Sequence, residues 1–199
     1  MSRSTPNGAA LGFYAVAMGL LEAVVVIYLR RLTGVGVSSV LAAPSGAVWE
    51  AVRALELARE AATLVMIAAV AWLAGPSIRR RVGALAFVFG LWDLSYYLFL
   101  ALMVGWPSSL LDWDLLFLIP APWWGPVLAP AAVAAVLVAG GWRQLRVSST
   151  RPLRAWAFAV GALGAAVLVA SFLASYPPHF AWAWFAAGLV LFTAALLGA

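Results

Sequence analysis

The chain has 199 residues, 66% of them apolar and only 10% charged, where an ordinary soluble domain carries about 45–50% and about 25%. One water-soluble core cannot absorb that much apolar surface. With a mean hydropathy of +1.03, most of the chain is suited to lipid, which excludes most soluble enzyme folds. All 12 basic residues are Arg, set against seven acids for a formal net charge of +5. The Arg residues sit at the ends of apolar segments, where positive charge orients a chain against an anionic leaflet. No basic stripe with interleaved aromatics is present, so nucleic acid is not an expected partner. The absence of Cys removes disulfides, thiolate chemistry, iron–sulfur clusters and Cys-ligated zinc together.

In chain order, six segments are long enough to cross about 30 Å of hydrocarbon: about 9–29, 56–75, 82–104, 122–141, 154–175 and 179–198. The first exceeds the apolar length of a secretory signal and carries Glu22, so it reads as a retained helix. Residues 34–46 read as a loop, and Val48 to Arg59 as a helical lead-in on the outer surface before the second span. Asp112 to Pro120 is apolar but too short to span and runs into Pro122, Pro126 and Pro130. It is expected to dip into or lie along the interface rather than form a strand, its backbone satisfied by protein or water. The expected fold is therefore all-α: one integral membrane domain of about six transmembrane helices, with an interfacial or re-entrant segment near 110–121.

Orientation follows from Arg. With the N-terminus inside, Arg3, Arg79, Arg80, Arg81, Arg143, Arg146, Arg151 and Arg154 share one side, and Arg30, Arg31, Arg53 and Arg59 lie on or toward the other. The positive-inside rule then places both termini in the cytoplasm of a multi-pass protein of a cell membrane, in keeping with a bacterial inner membrane. Five or seven spans would split the Arg79–Arg81 and Arg143–Arg154 groups between the two faces. Seven of the 11 Trp gather at the outer boundary (Trp49, Trp106, Trp113, Trp123, Trp124, Trp182 and Trp184). A belt of interfacial aromatics accounts for most of them. The excess around Trp106–Trp124 reads as a roof over a pocket or a partner surface.

Charge within the helices is confined to the first three: Glu22, Glu56, Arg59, Glu60 and Asp93. Asp93 lies about eleven residues into a helix of about twenty-three, near the midplane, where a carboxylate costs at least about 2.5–3.5 kcal/mol. Tyr96 and Tyr97, three and four residues on, are expected to hydrogen-bond it. Glu22 shares a face with Gly12, Ala15 and Gly19, along which a neighbouring helix can approach closely. Glu56 and Glu60, one turn apart, flank Arg59. Gly161, Gly164, Ala165 and Ser171 offer small contact positions in the last three helices.

Three readings of the cluster compete. Its charges can pair to lock the helices together; it can line an outward polar pocket for a cation, a proton or a small hydrogen-bonding molecule; or a carboxyl can act as a general acid or base. Hard oxygen ligands for Mg²⁺, Ca²⁺ or Mn²⁺ are present, but the Glu-x-x-His spacing of di-iron bundles is not, and no metal is assigned. His179 reads as a solvated helix-start residue, and no cofactor is legible. The expected site comprises Glu22, Glu56, Arg59, Glu60, Trp92, Asp93, Tyr96 and Tyr97, with Asp112, Trp113 and Asp114 from the roof. It is expected to bind a small ligand or ion without catalysis, or the protein serves as a subunit beside a membrane partner or a second copy of itself. The alternative is an intramembrane enzyme or proton-coupled carrier using Asp93 and the Glu22, Glu56 and Glu60 group.

Overall fold

The computed structural model describes residues 8–32, 47–147 and 154–198. The expected loop at 34–46 lies outside them, as do Arg3, Arg151 and the side chain of Trp49. Among the described residues there are six helices: α1 (Gly8–Leu32), α2 (Ala47–Leu73), α3 (Ile78–Val104), α4 (Leu128–Arg146), α5 (Ala155–Leu173) and α6 (Trp182–Gly198). Two short strands, β1 (Trp113–Phe117) and β2 (Trp123–Pro126), precede α4. Four helices, α1, α3, α4 and α5, are long and apolar enough to cross a membrane. The all-α polytopic membrane class read from the sequence stands. The two other expected spans differ from these four: α6 is apolar but has 17 residues, and α2 carries Glu50, Arg53, Glu56, Arg59 and Glu60 along its first half.

α3 is the centre of the bundle, with α1, α2 and α4 packed along it, while α5 and α6 form an antiparallel pair joined to the rest through α4 and β2. Ser77 starts α3 by accepting the Arg80 N–H, and Gly105 ends it at φ 69°, a left-handed conformation that side chains resist. The α1–α3 crossing depends on Gly19, where a Cβ would stand 2.6 Å from Ser95 Cβ and 2.8 Å from the Trp92 carbonyl. The small face expected on α1 thus meets α3. Gly164 and Gly188 play the same part between α5 and α6, where a Cβ on Gly188 would lie 2.8 Å from the Leu168 nitrogen. Large side chains such as Phe13, Phe158 and Val190 face outward, an arrangement compatible with hydrocarbon as the solvent.

The 110–121 segment corrects the expectation of a non-strand conformation. β1 pairs antiparallel with β2, Asp114 opposite Gly125 and Leu115 opposite Trp124, with an irregularity between Leu115 and Phe117. Pairing satisfies backbone groups that neither lipid nor a dry interior can satisfy. The fourth helix, expected from 122, accordingly starts at Leu128, because Trp123–Pro126 are used by β2. Beyond the ladder, Val127 donates to the Asp112 carbonyl at 2.9 Å and Leu128 to that of Leu110 at 2.7 Å.

Contacts order the two ends of the bundle. Gly8 lies against Trp142, and Gly198 against Trp156. The described chain ends therefore sit together at the end that carries Arg79–Arg81, Arg143, Arg146 and Arg154, with the hairpin at the opposite end. There Gln144, 1% exposed, accepts from Arg79 on α3 and donates to the Leu196 carbonyl of α6 at 3.1 Å.

Candidate functional site

On α2 the buried positions Glu56, Glu60, Thr63, Ile67 and Ala71 follow helical spacing along one face that begins acidic and turns apolar. That face meets α1 and α3 at the hairpin end. Glu22 follows Gly19 by three residues and Met18 by four, on the flank of the α1 stripe buried against α3. The Arg59 guanidinium bridges the two helices. It donates from Nε to Glu56 Oε2 at 2.9 Å and from Nη2 to Oε1, a two-pronged grip. Its Nη1 donates to Glu22. Glu60 is not part of this pairing: both of its oxygens accept the Leu118 backbone N–H, at 3.0 and 3.1 Å, which ties the hairpin to α2.

A second tie comes from Asp114, 2% exposed. It accepts from Arg30 Nη2 at 3.4 Å and from the Tyr97 hydroxyl at 3.1 Å. Arg30 in turn lies over the Trp106 ring, 4.3 Å from its centroid. The tyrosines therefore do not serve Asp93 as expected. A short carboxyl and a long phenol on one helix end at different distances from its axis, so the Tyr97 hydroxyl overshoots Asp93 and meets the hairpin. Tyr96 packs edge-on against Tyr97, centroids 4.9 Å apart. Among the described residues Asp93 has no hydrogen bond or ion pair.

These groups line a partly open cavity of about 130 Å³ between α1, α2, α3 and the hairpin, with α4 and Phe172 of α5 on its far side. Its wall includes Glu22, Glu56, Arg59, Glu60, Asp93 and Asp114, with Trp92, Tyr96 and Tyr97 from the expected set. Five carboxyls face one lining guanidinium, and Arg30 adds a second cation behind Asp114. Such an excess of acid among largely buried groups is relieved by protons or a bound cation. Among the described residues no three acidic or imidazole groups converge closely enough to hold a metal ion. The conceivable Glu22, Glu56, Glu60 and Asp93 metal site is therefore not formed.

Asp112 and Trp113 lie outside the cavity wall. Asp112 accepts from Ser108 N at 2.7 Å, Ser108 Oγ at 2.9 Å and Ser109 N at 3.1 Å. Burial pushes its carboxyl up, but these hydrogen bonds outweigh that effect and hold it below the ordinary value. Its chemistry is that of a turn cap. Trp113 packs edge-on against Phe180 at 6.2 Å. Exposed His179 closes a backbone bridge with Tyr176 before α6.

Sequence reasoning placed Phe117 and Trp123 within the segment roofing the pocket without naming them as site residues, and it missed the Leu118 amide as the partner of Glu60. The signal for the first two was the run of aromatics on either side of Pro120 and Pro122, which suits two strands joined by a turn. No family model matches the chain, and no curated protein or solved structure matches it.

Proposed function

We propose that this is an integral membrane protein that binds a small cation in the cavity between α1, α2, α3 and the hairpin. The carrying observation is the set of five carboxyls around a 130 Å³ space with one lining guanidinium. Asp93 supports the reading most directly, since its carboxyl lines the cavity and has no protein partner among the described residues. Charge at the two ends supports a cell-membrane orientation with the Arg-rich end, and hence both termini, in the cytoplasm. In that orientation the cavity belongs to the outer half. The experiment is thermal unfolding of the purified protein in lipid nanodiscs with increasing methylammonium chloride, choline-free and at constant ionic strength. A rise in Tm for the wild type that is absent in Asp93→Asn, with unchanged Tm for the unliganded variant, is expected. No rise for the wild type would overturn the proposal.

A proton-coupled carrier is the second reading, favoured by the unpartnered Asp93 carboxyl, which can exchange a proton where an amide cannot. It expects proton movement coupled to methylammonium uptake into proteoliposomes, lost in Asp93→Asn.

A further inference from the structure

A second space lies on the Arg-rich side of Phe89, a residue that lines both it and the carboxyl cavity. It is a groove of about 580 Å³ between α2 and α3 on one side and α5 and α6 on the other, with α4 also in its wall. Every lining residue except Gln144 is apolar or glycine. Along α5 the wall runs from Ala157 to Ala165 and along α3 from Val82 to Phe89, each about 10–12 Å of helix at a rise of 1.5 Å per residue. That length is close to one leaflet of a hydrocarbon core about 30 Å thick. A transmembrane partner helix would cross the whole thickness, whereas an acyl chain occupies one leaflet.

At its Arg-rich end the groove meets cations without acids. Exposed Arg143 donates to the Leu196 carbonyl at 3.5 Å, the same carbonyl that Gln144 holds, and both Leu196 and Gln144 line the groove. Exposed Arg154 stands immediately before α5, three residues from Ala157 and four from Phe158 of the wall. All seven acids fall in the other half of the bundle. Arg81 and Arg146 lie over the rings of Trp72 and Trp142, but Arg143 and Arg154 have no carboxylate to pair with among the described residues. An apolar trough one leaflet deep that ends at uncompensated guanidiniums is complementary to a lipid with an anionic headgroup. We propose that the groove binds one anionic phospholipid, its acyl chains against α3 and α5 and its phosphate at Arg143 and Arg154. The volume suits this occupant: a cavity of about 150 Å³ holds benzene, and the groove is about four times larger, room for two acyl chains side by side.

Native mass spectrometry of the full chain, released from detergent micelles during lipid titration, counts bound lipids and gives their affinity. One saturable dioleoylphosphatidylglycerol per chain is expected, bound at least about tenfold more tightly than dioleoylphosphatidylcholine, which has the same chains and no net charge. Glycerol phosphate, the headgroup without chains, is expected not to bind. Ala162→Trp, which fills the groove from an exposed position of its wall, should abolish tight binding. Leu163→Trp, exposed beside it but outside the wall, should retain it. Ala165→Phe provides the same test should Ala162→Trp fold poorly. Arg143→Gln combined with Arg154→Gln should reduce the affinity for phosphatidylglycerol to that for phosphatidylcholine. Equal wild-type affinities for the two lipids, or glycerol phosphate bound as tightly as phosphatidylglycerol, would overturn the proposal. So would unchanged lipid binding in the groove-filling variants, or a dimer that excludes lipid, which would assign the groove to a second copy of the chain.

Discussion

The guanidinium of Arg59 holds carboxylates from two helices, Glu56 on its own and Glu22 on α1. Removing one member of such a buried set strands its partners, at about 3–5 kcal/mol, whereas removing charge from both sides relieves that penalty. Arg59→Gln is therefore expected to be more damaging than the double variant with Glu56→Gln, as read by unfolding of each single and double variant. Simple additivity of the two would show that the pair is not directly coupled. Glu60 hydrogen-bonds the Leu118 amide instead but still interacts with the Arg59 charge, so Glu60→Gln should couple to Arg59→Gln more weakly than Glu56→Gln does. That the charges of the first three helices converge is legible in the sequence, since an intramembrane charge can only face inward. Their pairing is not. Partner choice depends on side-chain reach, which sends the Tyr97 hydroxyl past Asp93 to Asp114, and on a hairpin whose second strand reads as the start of a helix.

At the level of elements, the long helices are legible because hydrophobic length alone decides them, and their ends fall within a few residues of Gly8, Leu32, Val104 and Leu173. The hairpin is less so, because a five-residue apolar run carries no period that separates a strand from an interfacial coil. What converts it to a sheet is long-range: Glu60, Arg30 and Tyr97 hold β1 against the bundle, and Gly125 admits the Phe172 ring, 2.9 Å from where a Cβ would stand. Helix crossings offer a sharp comparison on α1. Gly12 and Gly19 lie two turns apart, yet a Cβ on Gly12 would meet only Leu91 Cδ2 at 3.8 Å, an ordinary contact, while one on Gly19 would overlap α3 backbone and Ser95. Gly12→Ala should leave Tm unchanged or raise it, since alanine favours a helix by up to about 1 kcal/mol over glycine. Gly19→Ala should lower it, by the equivalent of about 1–3 kcal/mol for overpacking. Equal effects at the two positions would show that α1 does not cross α3 at Gly19.

Across the whole molecule, charge is divided by end. Arg79, Arg80, Arg81, Arg143, Arg146 and Arg154 occupy the end where Gly8 and Gly198 lie, and all seven acids fall in the half of the bundle nearer the hairpin. The same division serves two purposes. Under the orientation proposed above, the Arg-rich end would face the anionic leaflet, and the acid-rich opposite half would place the cavity where a cation enters from outside. If this holds, the two ends are distinguishable in intact cells or sealed vesicles, and the Cys-free chain makes the measurement clean. Exposed Ser109, beside the hairpin, and exposed Arg146, at the end of α4, can each be replaced singly by Cys. Ser109→Cys is expected to react with a membrane-impermeant maleimide from outside, and Arg146→Cys only after the membrane is permeabilised. Reversed labelling would place the cavity in the cytoplasmic half and make its ligand an intracellular one. Labelling of both from the same side would contradict an α4 that crosses the bilayer, and with it the division of charge as the determinant of orientation.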